Sequence, residues 1–360
     1  MMGISCNFVT ILCCYKPFTP SSSSTNFTFP SFSSSTITNG GTCKLTWDNI
    51  VRNSESKAAL EEDSSSCLQT YFHKVQLCNR SSDKKSEFLP FVVEGNLVGF
   101  IHNRFVEHLR RYSDVFVFLK DENSSGDYVT LHSLLKTVEE RTDAVGYVVK
   151  YLGEEHIPGI RNELYPVKSS YHTPAFFLLE RAAAPYFGIK AYAIHVNGYV
   201  ELNEQQHVWI GKRSLMKSTF PGMLDNLVAG GLPHGIDCRE NVVKECKEEA
   251  GIPRSISIKA RPVGAISYMD IDGYKYHRDV LFCYDLKLPE NFVPYNEDGE
   301  VESFKLIHIK QVEEIVRKTQ FFKPTCAIVI IDFLIRHGYI TPESFGYLDL
   351  IRSLRIGDCS

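Results

Sequence analysis

The chain has 360 residues, enough for two domains at the usual ~150 residues apiece. Its 43% apolar and 23% charged residues are ordinary globular usage, which excludes a wholly disordered chain, a collagen-like repeat and a disulfide miniprotein. A formal net charge of −4 argues against a nucleic-acid binder, and the longest apolar run, Ala327–Ile335 with Asp332 inside it, falls well short of the ~20 residues that cross a bilayer.

The first stretch is unlike the rest. From Met1 to Trp47 there is no Asp, Glu or Arg, and the only charges are Lys16 and Lys44. Ser and Thr runs (Ser21–Thr25, Ser33–Thr36) alternate with Phe27, Phe29, Pro30 and Phe32. An acid-free, Ser-rich leader is the composition of an organellar transit peptide, and the missing arginine favours chloroplast over mitochondrion. A plain disordered tail is the second reading, and a secretory signal fits less well, because the apolar region Ile4–Cys14 is broken and has no positive flank before it. Residues 1–60 are therefore expected to be a transit peptide and polar linker, and the mature protein to reside in the plastid stroma. Cys6, Cys13, Cys14 and Cys43 lie in this leader; the other seven cysteines are scattered without a C-x-x-C pair and read as reduced thiols.

A first folded unit is expected over 66–186. Phe91–Val93 and Leu97–Phe100 flank Glu94-Gly95-Asn96, which predicts a hairpin. Arg104–Arg111 has Phe105, Val106 and Leu109 at helical spacing, and its arginines read as snorkelling to solvent rather than as an anion site. Val115–Leu119 predicts a strand, Leu131–Arg141 a helix, and Glu180–Ala184 the end of a helix punctuated by Pro185-Tyr186-Phe187-Gly188. Past this boundary Ala191–Val196 and Val208–Ile210 predict strands, with Asn197-Gly198 as the turn.

The informative segment is Gly230–Ile252. It opens on Gly230-Gly231-Leu232-Pro233-His234-Gly235, and Asp237 with Glu240 forms a capping-box-like start. Gly251 before Pro253 is a stop, so the helix spans about Cys238 to Ala250. On a wheel Val242, Val243, Cys246 and Ala250 form the apolar arc, with Glu245, Glu248 and Glu249 on the adjacent one. Like charges at i, i+3 and i+4 repel by a few tenths of a kcal/mol per pair, roughly, and a bound hard cation reverses that. Glycines beside such a face let backbone approach a phosphate. Loop, cation and helix together make a diphosphate site.

The segment resembles the Nudix box: Lys244 stands in the arginine place, followed by Glu245, Cys246, Glu248, Glu249, Gly251 and Ile252. Pro221–Asn226 upstream and Asp298-Gly299-Glu300-Val301 downstream fit the same family. The resemblance implies an α/β fold, a Nudix α/β/α sandwich over 187–345, preceded by a smaller α+β domain. Two departures stand out. The loop is one residue short with Ile236 in the usual glutamate position, which leaves the number of metal ions open, and Lys244 lacks arginine's planar fork. With the Glu180-Arg181-Ala182 to Tyr186-Phe187-Gly188-Ile189 junction, the chain is similar to plant chloroplast Nudix hydrolases, whose first domain also precedes the kinase of fungal thiamine pyrophosphokinase fusions.

By that resemblance the protein hydrolyses a small-molecule diphosphate, with Mg²⁺ or Mn²⁺ on Glu245 and Glu249. Glu248 is a further ligand or the base, and Glu300 a second candidate base. Gly230, Gly231, His234, Lys212, Arg213 and Lys217 are candidates for substrate binding. The substrate is a nucleoside diphosphate derivative, or thiamin diphosphate and its oxidised analogues cleaved to the monophosphate. A non-catalytic diphosphate-binding module and an isopentenyl-diphosphate-isomerase-like enzyme are the alternatives. No nucleic acid or membrane partner is expected, and nothing in the sequence sets an oligomeric state.

Overall fold

The computed structural model describes residues 46–55, 67–120 and 126–358. The leader through residue 45, with its expected transit peptide, lies outside the described residues, as do residues 56–66. The segment just after the leader is not linker throughout. Trp47–Glu55 form helix α1, which buries Ile50 completely and sends the Trp47 indole N–H to Ser303 Oγ at 3.0 Å. Two apolar side chains suffice to dock so short a helix, and a composition average hides them. Helix α2 (Cys67–Gln76) turns Leu68, Tyr71 and Val75 inward at helical spacing.

A four-stranded sheet follows. Strands β1 (Phe88–Val93) and β2 (Asn96–His102) form the expected hairpin, with Glu94 and Gly95 both at positive φ, 49° and 76°. Helix α3 (Asn103–Leu109) buries Phe105, Val106 and Leu109. Strands β3 (Phe116–Lys120) and β4 (Asp127–Leu131) complete the order β2-β1-β4-β3. The helix expected over Leu131–Arg141 starts later, because Leu131 closes β4. Thr137 and Glu140 form a reciprocal capping box that sets the first turn of α4 (Val138–His156). A short hairpin, β5 (Leu164–Val167) and β6 (Phe177–Glu180), packs with α4 around Phe91, Phe116, Phe177 and Phe187. Glu180–Ala184 do not end an α-helix; Glu180 closes β6 and its carboxylate accepts from Ala182 N–H at 3.3 Å, starting a single 3₁₀ turn.

The second half is built on a larger sheet. Strand β7 (Lys190–Leu202) runs straight through Asn197-Gly198, where a turn was expected, and the chain reverses instead at Asn203-Glu204, φ 51° and 63°. Two facts explain this: Asn197 is fully buried, and a side chain on Gly198 would overlap Leu227. Then come β8 (Gln205–Arg213), β9 (Leu224–Asp225), β10 (Val228–Gly231), helices α5 (Cys238–Ala250) and α6 (Arg254–Ser257), β11 (Arg261–Asp272), β12 (Lys275–Lys287) and β13 (Val301–His308). Helices α7 (Ile309–Lys318), α8 (Pro324–Arg336) and α9 (Tyr347–Ser353) close the chain. The strand order is β11-β12-β7-β8-β13; β7 and β12 are parallel, and β10 pairs with β7.

Helices α2, α7, α8 and α9 cover one face of this sheet, and Ile50 of α1 joins their core. Helix α5 covers the other face through Val242, Cys246 and Ala250 against Ile194, Val196 and Val228. This is an α/β/α sandwich preceded by a smaller α+β unit. On the α8 side Asp285 is buried and held by Arg336 Nη2 at 3.0 Å and His337 Nε2 at 2.8 Å.

Candidate active site

Helix α5 sets the geometry. Asp237 caps it by accepting from Glu240 N–H at 2.9 Å, but the Glu240 carboxylate turns outward to both terminal nitrogens of Arg254, each at 2.7 Å, so the capping box is only half made. Gly251 ends the helix at φ 62°. With the apolar arc on the sheet, the glutamates face β10 to different depths. Glu249 is buried and accepts from Ala229 N–H at 2.9 Å. The Glu245 side chain is 13% exposed and lies against Gly230, where an added Cβ would overlap its carboxyl group. Glu248 is 46% exposed and shares Lys244 with Glu245, both at 3.0 Å.

The glycines have a use beyond the one expected. Gly230 makes room for Glu245, and a Cβ on Gly231 would overlap the Tyr165 hydroxyl and come within 3.3 Å of Arg181 Cζ. The paired glycines let a carboxylate close over one face of β10 and the first unit over the other.

Burial raises the Glu249 carboxyl well above its ordinary value, and the charges of Asp225, Glu245 and Glu300 add to that. Burial also raises Glu245 despite the pull of Lys244. Burial pushes Glu300 up too, but its ion pair with Lys217 outweighs that and leaves it below the usual carboxylate value. No salt bridge reaches Glu249 among the described residues.

The expected phosphate-binding cations are occupied elsewhere. Lys212 is buried on Glu302 at 3.2 Å, and Lys217 is on Glu300. Arg213 reaches Asp225 at 2.7 Å and the Thr219 and Phe220 carbonyls, fixing the 214–223 loop. His234 is exposed, its backbone N–H tied to Leu164 O at 2.9 Å. Beside Gly230 and Gly231 a cavity of about 710 Å³ opens between the two units, and its charged lining includes Arg161, Arg181 and Lys323. None of these three is marked by the motif.

His195, Asp225 and Cys326 form a second cluster, their ligand atoms within 4.8 Å of one another. Asp225 already receives Arg213, the Cys326 thiol at 2.6 Å and Asn226 N–H at 2.8 Å. Although burial opposes it, Lys323 and Arg213 hold its pKa down to about 2. A carboxylate so saturated, between two cations, fits a metal poorly; the uncompensated acids of α5 fit one better.

A NUDIX domain model matches residues 192–324, and a domain of unknown function (DUF4743) matches residues 70–191. Nudix hydrolase 20, chloroplastic, of Arabidopsis thaliana is 59% identical over 320 residues, covering 88% of this chain and 84% of that one. The chain belongs to the Nudix hydrolase family. Nudix hydrolase 24, chloroplastic, of the same plant is 58% identical over 317 residues, covering 88% of this chain and 85% of its own. An uncharacterised protein of Saccharomyces cerevisiae is 42% identical over 212 residues, 54% of this chain and 60% of that one. This Nudix hydrolase is thus an enzyme of the chloroplast type, with α5 as the helix of its Nudix box.

Proposed function

We propose that the protein is a divalent-cation-dependent Nudix hydrolase that cleaves the diphosphate of an organic diphosphate. The substrate is a nucleoside diphosphate derivative, or thiamin diphosphate and its oxidised analogues, released as the monophosphate. The observation that carries this reading is Glu249, a buried carboxylate crowded by Asp225, Glu245 and Glu300 with no ion-pair partner among the described residues. A buried carboxylate without a counter-charge costs several kcal/mol, roughly, and Mg²⁺ or Mn²⁺ bound there would offset the cost.

Glu249 and Glu245 would hold the cation, which when bound neutralises the diphosphate and makes water a better nucleophile. The protein's own groups do the rest. Ala229 N–H orients Glu249, and the absent side chain at Gly230 lets Glu245 lie against the strand. Glu300 stays ionised through Lys217, so it is able to accept a proton from an attacking water at neutral pH. Glu248, half in solvent, serves to hold Lys244 rather than the reacting groups.

The test is a panel of thiamin diphosphate, its oxidised analogues, ADP-ribose and dinucleotides, with and without Mg²⁺ or Mn²⁺, read by product mass. Cation-dependent release of a monophosphate is the expected result. Binding without release would make the protein a diphosphate-binding module, and a product of unchanged mass would make it an isomerase.

A further inference from the structure

We propose that Arg181, from the segment preceding the Nudix domain, is the residue that clamps the substrate's diphosphate, so that the first unit completes the active site. The inference rests on the diphosphate reading above and adds the residue and the unit that supply the anion contact.

Three observations converge on it. The first is position. Arg181 lines the cavity beside Gly230 and Gly231, and its guanidinium lies over the Tyr165 ring, 5.5 Å from the centroid. Gly231 has no room for a Cβ on this side, so the strand runs directly beneath the arginine. The second is its unused hydrogen-bonding capacity. Nη1 donates to Glu163 at 2.6 Å, and the rest of the fork has no protein acceptor among the described residues, although the side chain is only 35% exposed. A guanidinium has five N–H donors, and an open edge of two fits a phosphate bidentately. The third is elimination. Of the cations near the box, Lys212, Lys217 and Arg213 are taken by Glu302, Glu300 and Asp225; of the other two named in the cavity lining, Arg161 donates to Ser218 Oγ at 3.3 Å and Lys323 acts on Asp225.

Burial alone would weaken the positive charge of Arg181, but Tyr165, Glu163 and Glu245 sustain it, so it stands within electrostatic reach of Glu245, one of the two carboxylates proposed to hold the cation. A diphosphate over Gly230-Gly231 would then have its cation on the α5 side and the arginine fork on the other. Glu163 and the Tyr165 ring hold that fork in place.

The experiment compares wild type, Arg181→Met, Arg181→Lys and Glu163→Gln as full chains. Binding of methylenediphosphonate is measured by calorimetry, KM and kcat on the best diphosphate of the panel, and melting temperature on each variant. Arg181→Met is expected to weaken methylenediphosphonate binding and raise KM by about tenfold to a hundredfold, with kcat within about threefold. Arg181→Lys restores charge without the fork and is expected to recover only part of this. Glu163→Gln keeps the arginine but loosens its hold, and is expected to weaken binding by about threefold to tenfold, less than Arg181→Met. If wild type hydrolyses its substrate and both Arg181 variants bind methylenediphosphonate as wild type does, the clamp is wrong and the hydrolase reading stands. The clamp is equally wrong if Glu163→Gln and Arg181→Lys lose binding only in step with melting temperature. If wild type neither binds nor cleaves any diphosphate, both readings fall.

Discussion

Two buried carboxylates on opposite sides of the same sheet behave in opposite ways. Asp285, under α8, is met by Arg336 and His337; burial pushes its carboxyl up, the two partners outweigh that, and it sits below its ordinary value of 3.8. Glu249, on α5, is also buried and among the described residues accepts from a backbone N–H alone, so burial drives it the other way. The fold supplies counter-charge where an acid is structural and withholds it where an acid is proposed to await a cation. Burial alone does not tell the two apart; the partner does.

That contrast is open to attack at four points. Glu249→Gln should reduce kcat with Mg²⁺ by about 10³-fold, while the melting temperature without metal stays level or rises, because a buried charge has been removed. A large stability loss in that variant would break the comparison. Asp285→Asn should do the reverse, costing about 3 kcal/mol in urea unfolding because Arg336 loses a buried partner, with kcat unchanged. The pH dependence follows from the lowered pKa. The stability Asp285 contributes is fully present above 3.8 and is lost as pH falls through its lower folded value, so Asp285→Asn should flatten the acid limb of the unfolding profile. Glu245→Gln should lower kcat by about 30-fold, less than Glu249→Gln, since Lys244 already neutralises part of the Glu245 charge. Glu248→Gln should change kcat by no more than about threefold, as expected of a carboxylate half in water. Steady-state kinetics on the four variants would rank them in an afternoon's titration, and equal effects of Glu248 and Glu249 would erase the distinction.

Helix α5 is legible in the sequence to the residue, because its ends are written locally: Asp237 supplies the cap, Gly251 the left-handed stop, and Val242, Cys246 and Ala250 the period. The same locality yields the Glu94-Gly95 hairpin and α3. One failure is local, the Thr137 and Glu140 capping box inside the expected Leu131–Arg141 helix; another is non-local. Asn197-Gly198 reads as a turn on its own, and only Leu227, lying against Gly198, shows that the glycine is there for close packing. Within the site the box marks Glu245, Glu249, Gly230 and Gly231, which the fold brings together. It is silent on Tyr165 and Arg181, which come from a stretch with no pattern of its own. The faint signals are the second glycine of the pair and the arginine of the Glu180-Arg181-Ala182 junction, and their relation appears only when Gly231 is seen to lie against the Tyr165 hydroxyl and the Arg181 guanidinium.

Helix α1 bears on how the chain matures. Trp47 and Ile50 belong to the folded body, plugged against α7 and β13, so a processing cut as late as residue 60 would strip a wedge from the finished enzyme. If the leader is a transit peptide, as its composition leads one to expect, a product that keeps this wedge is cut ahead of Trp47. The acid-free composition ends where folded structure begins: Asp48, the first acidic residue of the chain, already lies in the first turn of the first described helix.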